Sequence, residues 1–158
     1  MRNLLIRFLA IAALGAGPVW AAGGVPPESV RAQPRDPAIN AIQAAIAKPD
    51  WAQARALARA SVEKNPSNPD YHNLYAYAIR KGANPEMDLV FKHYNEALRL
   101  DPKHRGAQEY LGEAYLMVGN LAKAKEQLKN LDELCFLPCR EYSLLKQAIA
   151  DYEAKPPK

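Results

Sequence analysis

The chain has 158 residues, enough for one domain or a short array of repeats, and its 49% hydrophobic and 24% charged residues are typical of a packed globular protein. It has only two cysteines, which excludes a disulfide-rich miniprotein and a zinc site built from four thiolates. The formal net charge of +4 is too small to indicate a nucleic-acid partner.

The first 21 residues have the pattern of a secretory signal. Arg2 and Arg7 supply positive charge, residues 4–14 form an apolar run, and the small residues Val19 and Ala21 precede a cleavage position. The run is shorter than the ~20 residues that a spanning helix needs. We therefore expect cleavage after Ala21 and an exported, periplasmic protein whose mature form has no membrane span. Retention of the segment as an anchor is the alternative.

Residues 22–36 are predicted to be a flexible linker. The pairs Gly23-Gly24 and Pro26-Pro27 interrupt a polar stretch that has no apolar periodicity.

The rest of the chain has the apolar periodicity of α-helices, with residues recurring three and four apart between clusters of Pro, Gly and Asn. Two of these stretches end alike, at Asn65-Pro66 and Asp101-Pro102. The predicted helices span residues 37–48, 51–64, 70–81, 86–100, 105–118, 121–135 and 139–154.

Three segments share one order of large, small and turn-forming residues. In residues 105–138 these are Leu111-Gly112, Tyr115, Gly119-Asn120 and Ala124; in residues 69–104 they are Tyr75-Ala76, Ala97 and Pro102; in residues 35–68 they are Ala54 and Pro66. This pattern resembles the tetratricopeptide repeat (TPR) family, whose unit is a 34-residue helical hairpin. The second segment departs by a loop two residues longer, and the third has Leu131 and Phe136 in place of an alanine and a proline.

The resemblance implies an all-α fold, an α-solenoid of about three TPR-like hairpins in residues 37–138. Hairpins must stack because one helix pair cannot bury its own apolar face. The helix predicted at 139–154 has a single apolar stripe, which suits a C-terminal capping helix; a helix that docks on another protein is the alternative. The stripe consists of Tyr142, Leu145, Ala148, Ile149 and Tyr152.

The resemblance also implies a concave face, lined by the first helix of each hairpin, that binds a protein or peptide partner. Its candidate residues form an apolar end, a basic patch at Arg80 and Lys81, and an acidic patch at Glu109 and Glu113, with Tyr77 as an anchor. The alternative is that Arg80 and Lys81 merely solvate the end of a helix. The candidate partner-binding residues are Ile39, Gln43, Asn73, Tyr77, Arg80, Lys81, Glu109, Glu113 and Leu116.

One subset of the family binds a free C-terminal carboxylate through lysine and asparagine side chains. In this chain Ile39 and Gln43, and later Glu109 and Glu113, occupy the corresponding places. We therefore do not expect this chain to recognise a C-terminus by that device.

Cys135 and Cys139 flank the helix-breaking Pro138. In an oxidising compartment we expect a structural disulfide that ties the last repeat to the capping helix. A metal site is less favoured because no histidine lies nearby, and a redox role because the spacing differs from Cys-x-x-Cys.

No catalytic motif is apparent, so we predict a protein that is not an enzyme and has no metal or cofactor. His72 is expected to pack, His93 to lie at the surface and His104 to lie in a turn. Glu109 and Glu113 fit a solvated acidic face better than an acid/base pair.

The sequence thus predicts an exported, non-catalytic TPR-type scaffold. The alternative is a thiol-disulfide or metal-handling accessory protein centred on Cys135 and Cys139. Self-association through the alanine-rich first helix is left open.

Overall fold

The computed structural model describes residues 36–154, so the predicted signal segment (1–21) and all but the last residue of the predicted linker (22–36) lie outside the described residues. In the described part the chain consists of seven α-helices without a strand: α1 (Pro37–Ala47), α2 (Trp51–Lys64), α3 (Pro69–Lys81), α4 (Met87–Leu100), α5 (Arg105–Met117), α6 (Leu121–Leu134) and α7 (Arg140–Glu153). Each predicted helix is present, with both ends within one residue of the prediction. None of the seven is long and apolar enough to cross a membrane.

Local chemistry sets where most of the helices begin. Pro37 and Pro69 occupy the first turns of α1 and α3, where a missing N–H costs no intrahelical hydrogen bond. Side-chain acceptors before five of the helices receive hydrogen bonds from the first free backbone N–H groups. These acceptors belong to Asp36, Asp50, Asn68, His104 and Asn120.

The helices pair into three hairpins, α1/α2, α3/α4 and α5/α6, and α7 packs against α5 and α6. The loop inside the second hairpin has five residues, 82–86, whereas the loops inside the first and third have three. The prediction of a loop two residues longer is therefore confirmed. So is the fold class, an all-α solenoid closed by a C-terminal helix.

The interior has small residues where helices approach and large residues between them. Tyr94 and Ile79 anchor a cluster that spans the first two hairpins and α5, and Leu131 and Leu145 anchor a second cluster among α5, α6 and α7. Leu131, which departs from the family pattern, is fully buried there. The small residues with no exposed surface include Ala54, Ala58, Ala76, Ala97 and Ala124.

Candidate functional site

The first helix of each hairpin, together with α7, forms the inner face of the stack. Along this face α1 contacts α3, α3 contacts α5 and α5 contacts α7, whereas the second helices α2, α4 and α6 make no comparable contacts with one another. The helices on the inner side therefore lie closer together than those on the outer side, which makes the inner face the concave one.

Arg80 lies at the centre of the α3–α5 seam and is 7% exposed. Its Nη2 donates to Oε2 of Glu113 at 2.6 Å, and its Nε donates to the hydroxyl of Tyr94 at 3.2 Å. Burial lowers the pKa of Arg80, but the interactions with Tyr94 and Glu113 outweigh it and raise that pKa above its usual value. The guanidinium is therefore charged and fixed in position.

This ion pair corrects two predictions about charge. Arg80 does not solvate a helix end, and no separate basic and acidic patches exist at Arg80 and Glu113 because the two side chains neutralise each other across the seam. Lys81, by contrast, is exposed and lies 6.0 Å from the ring of Trp51. The basic patch is thus reduced to Lys81.

An aromatic strip crosses the inner face beside Arg80. The rings of Tyr77 and Tyr110 are 4.7 Å apart, and Trp51 meets Tyr77 edge-on at 6.1 Å. The Arg80 guanidinium lies 5.5 and 5.6 Å from the centres of the two tyrosine rings. All three rings are partly exposed. Half-buried, rigidly held aromatic rings are the usual anchors of protein interfaces.

The start of the same seam is polar. The Nδ1 atom of His104 accepts from the backbone N–H of Ala107, so its Nε2 carries the proton and donates to Asp70 at 3.1 Å. This hydrogen bond lowers the pKa of Asp70. Asn73 is 6% exposed, and its Oδ1 has no hydrogen-bond partner in the described part of the chain.

Glu109 was expected on a solvated acidic face, and the structure overturns that expectation. Its side chain is 5% exposed because α7 packs against this part of α5. Burial raises the pKa of Glu109 to about 7, and the carboxylates of Glu113 and Glu141 add to the effect. This carboxyl group is therefore partly protonated near neutral pH.

The remaining predicted residues lie at the two ends of the inner face. Gln43 is exposed, and Ile39 is partly buried near the start of α1. Leu116 packs on the second core cluster and lines a cavity beside α7. The predicted set is therefore spread along the face, and the structure joins only its central members into one network.

Three further residues of this surface were not among the candidates. Trp51 begins a second helix, and Tyr110 and Glu141 contribute through contacts with neighbouring helices. Tyr110 directly follows the candidate Glu109. Its aromatic side chain was the feature of the sequence that could have marked it as a site residue.

The histidines form a buried pair rather than a surface feature. Nδ1 of His72 and Nδ1 of His93 are 2.8 Å apart, and Nε2 of His72 lies 2.9 Å from the carbonyl of Pro66. His72 thus donates to Pro66 and accepts from His93. The expected packing role of His72 is confirmed, but His93, expected at the surface, is 8% exposed. The sequence gives no sign that α4 turns this residue toward α3.

Cys135 and Cys139 are joined in the structure, with 5.8 Å between their Cα atoms. The residues between them include Phe136 and Leu137, whose side chains are exposed. No group of three or more His, Cys, Asp or Glu side chains suited to a metal ion occurs within residues 36–154.

No protein-family model and no curated protein matches the chain. Solved structures do resemble it. One is the first TPR of Spaghetti (RPAP3) bound to HSP90 peptide SRMEEVD, with a TM-score of 0.61 and 17% identity over 75% of this chain and 94% of that chain. Another is the Sgt2 TPR domain from Aspergillus fumigatus, with a TM-score of 0.63 and 20% identity over 77% of this chain and 83% of that chain. The described helices therefore have the TPR fold.

Proposed function

We propose that this protein is an exported scaffold that binds a protein or peptide partner along its inner face and catalyses no reaction. The observation that carries the proposal is the aromatic strip of Trp51, Tyr77 and Tyr110, held rigidly around the buried Arg80. Such a surface offers a partner large contact area at small entropic cost. The structural likeness to a TPR domain bound to a peptide supports the same use of the fold.

Site-specific photo-crosslinking tests this proposal in the cells that naturally produce the chain. A photoreactive amino acid is placed at Gln43 or Lys81 on the inner face, and at Lys129 on the outer helix α6 as the matched control; all three side chains are exposed. We expect discrete adducts from Gln43 and Lys81, which disappear when Tyr77→Ala is added. Equal adducts from Lys129, or none from the inner face, would contradict the proposal.

Export and the disulfide belong to the same proposal. The charged, then apolar, then small-residue pattern of residues 1–21 supports cleavage after Ala21. The bonded pair of Cys135 and Cys139 suits an oxidising compartment. Intact mass measurement of the protein from its native host tests both, because the expected product begins at residue 22 and weighs two hydrogens less than its reduced form.

A thiol-disulfide accessory role is the second candidate, and the position of Cys139 favours it. Cys139 is the N-cap residue of α7, where the helix dipole stabilises a thiolate. Titration with a glutathione redox buffer distinguishes the two functions. A bond that resists the glutathione pool indicates a structural role, and a bond reduced at a potential near that of the pool indicates redox exchange.

A further inference from the structure

The loop between α6 and α7 exposes two adjacent large apolar side chains. Phe136 is fully exposed and Leu137 is 72% exposed, more than any other large hydrophobic residue of the described chain. The bond between Cys135 and Cys139 closes this loop, so little conformational freedom remains to be lost on binding. Adjacent exposed apolar side chains mark interaction surfaces, whereas single ones are ordinary. We call residues 135–139 the apolar loop.

A cleft of about 560 Å³ lies between the start of α2 and the end of α3. Its floor contains Ala78 and Ile79, which are almost completely buried, and its walls contain the exposed Ala52 and Ala83. The space is open because most of the facing residues, including Gly82, have small side chains or none. A cleft of this size with an apolar floor can hold large apolar side chains. We call it the α2/α3 cleft.

The apolar loop cannot enter the cleft of its own folded chain. Helices α6 and α7, which hold the two ends of the loop, contact α5 and each other but neither α2 nor α3. The cleft lies between α2 and α3, on the first two hairpins of the stack. The loop of one chain can therefore reach only the cleft of another chain.

The surroundings of the apolar loop carry a small excess of negative charge. Three carboxylates and two cations flank it at the end of α6 and the start of α7. Asp132 forms no ion pair within residues 36–154, and Glu133 lies 3.8 Å from Lys129. The flanking charged residues are Lys129, Asp132, Glu133, Arg140 and Glu141.

The rim of the α2/α3 cleft has the opposite excess. Arg55 is paired with Glu86 at 2.6 Å, and the Asp50 carboxylate caps the positive end of the α2 dipole. The exposed Lys81 lies 6.0 Å from the ring of Trp51, which lines the cleft, and has no ion pair in the described part of the chain. The charges at the loop and at the cleft therefore favour their approach.

We propose that the apolar loop of one chain inserts into the α2/α3 cleft of a second copy, so that the protein self-associates. Phe136 enters the cleft beside Trp51, and the acidic end of α6 faces Lys81. Each chain carries one loop and one cleft, so two different surfaces meet at every contact. This contact does not involve the alanine-rich first helix, and it goes beyond the proposed function because it supplies the partner from the same chain.

Sedimentation equilibrium of the protein recovered from its native host tests the inference. We expect the average mass to rise above that of the monomer as the concentration increases from low micromolar to submillimolar. Phe136→Ser should weaken this association about tenfold or more, the effect of withdrawing one buried aromatic side chain. Leu144→Ser is the matched control and should have little effect, because Leu144 is an exposed apolar residue on α7 outside the loop.

A cleft variant should have the same effect as the loop variant. Ala52→Gln places a longer side chain at the wall of the cleft, and Ala60→Gln is its control, because Ala60 is exposed on the same helix but does not line the cleft. Ala83→Gln is a second cleft variant, located in a loop where helix stability is not involved. Circular dichroism establishes that each variant retains its helices.

Mixing the two kinds of variant identifies the surfaces that meet. Phe136→Ser keeps an intact cleft and Ala52→Gln keeps an intact loop, so each alone should remain monomeric and the mixture should form dimers of one chain of each kind. The emission of Trp51 should shift in these dimers; the other tryptophan, Trp20, lies in the predicted signal.

The inference is overturned by a protein that stays monomeric at every concentration, by association that Phe136→Ser leaves unchanged, or by a mixture that forms no dimers. The proposed function is tested separately, because Gln43 lies on α1 outside the cleft and its photo-crosslinking reports on the inner face. Adducts from Gln43 with other proteins, together with a monomeric chain, would refute self-association and leave the scaffold function intact.

Discussion

At the scale of single residues, the buried polar side chains differ in whether they have partners. Arg80 has Glu113 and Tyr94, and His72 has the carbonyl of Pro66 and the ring of His93. Glu109 has no such partner among the described residues. A paired buried charge is costly to disrupt, whereas an unpaired one is costly to keep. Because burial raises the pKa of Glu109 to about 7, ionisation of this carboxyl group lowers the stability of the folded protein.

Replacing Glu109 with glutamine should stabilise the protein only at neutral and alkaline pH. Its carboxyl has an ordinary pKa of 4.5 in the unfolded chain and a pKa of about 7 in the folded one. The folded state thus binds more protons between these values, and stability falls as the pH rises through them. We expect Glu109→Gln to raise the free energy of unfolding by about 2–3 kcal/mol at pH 8 and hardly at pH 4.

Urea denaturation at both pH values measures this difference. The exposed Glu126 provides the control, since Glu126→Gln should change stability by less than about 0.5 kcal/mol at either pH. If Glu109→Gln raised the free energy of unfolding by the same amount at pH 4, ionisation of Glu109 would not be the cause.

The buried histidine pair should have the opposite pH dependence. Burial, reinforced by electrostatic interactions with the His72 ring and with Lys92, lowers the pKa of His93 from 6.5 to about 4. The unfolded chain therefore takes up a proton first, and stability is lost as the pH falls from 6.5 toward 4, by about 3 kcal/mol at most.

The Glu109→Gln background isolates this effect, because it removes the opposing titration. Denaturation of that variant between pH 7.5 and 4 measures the loss, and the NMR titration of the His93 ring should show a midpoint below 5. A midpoint near 6.5 would mean that His93 is accessible to water, contrary to its packing against His72 and Tyr75.

At the scale of elements, the position of α7 depends on the absence of a side chain. A Cβ at Gly112 would lie 2.5 Å from Cδ2 and 2.7 Å from Cδ1 of Leu145. Leu145 is fully buried in the second core cluster, so it has little room to move. The glycine therefore sets how closely α7 approaches α5.

Gly112→Ala should destabilise the protein although alanine favours helix formation. The gain in helix propensity is about 1 kcal/mol, and overpacking of a filled core costs about 1–3 kcal/mol, so we expect a net loss of about 1 kcal/mol. Thermal unfolding of Gly112→Ala, of Leu145→Ala and of the double variant measures the coupling between the two positions. Gly106→Ala is the matched control, because a Cβ there would meet its nearest neighbour at 3.4 Å.

We expect Gly106→Ala to be neutral or slightly stabilising. In the double variant the alanine at position 112 should cost less than in the wild-type background, because the shortened side chain at position 145 leaves space for it. Additive effects of the two substitutions would contradict the close approach of α7 to α5.

At the scale of the whole molecule, the positions of the helices could be predicted, since local chemistry determines them. Pro37 and Pro69 fix where two helices start, and Ala124 marks a place where α6 packs closely on its neighbours. These features can be identified from the local sequence alone. The contacts of the candidate site were beyond such reasoning. Arg80 and Glu113 lie on different hairpins, so each helix by itself indicated a separate charged patch.

Two other features depended on packing in the same way. His93 is buried because α4 turns it toward His72 on α3, and Glu109 is buried because α7 covers it. In the sequence of a single helix, a polar residue that becomes buried looks the same as one that stays in solvent. Only the position of the neighbouring helix distinguishes them. The fold was thus predictable from periodicity, whereas the charge distribution of the inner face required the structure.

The two larger core clusters indicate that the ends of the stack unfold with some independence. The first joins α1 to α5 and the second joins α5 to α7, and of the residues in or packed against them only Tyr115 belongs to both. In a solenoid each hairpin is stabilised mainly by its immediate neighbours. A cavity in one cluster should therefore weaken the nearest helices most.

Hydrogen exchange measured by mass spectrometry tests this expectation with two matched variants. Leu145 and Ile42 are both fully buried, one in each cluster, and truncating either to alanine costs about 2–5 kcal/mol. Leu145→Ala should accelerate exchange in α6 and α7 and leave α1 and α2 nearly unchanged, while Ile42→Ala should do the reverse. Equal acceleration in all helices would instead show that the stack unfolds as one cooperative unit. A partner bound across α3, α5 and α7 should oppose the effect of Leu145→Ala, because it holds the C-terminal helices against the rest of the inner face.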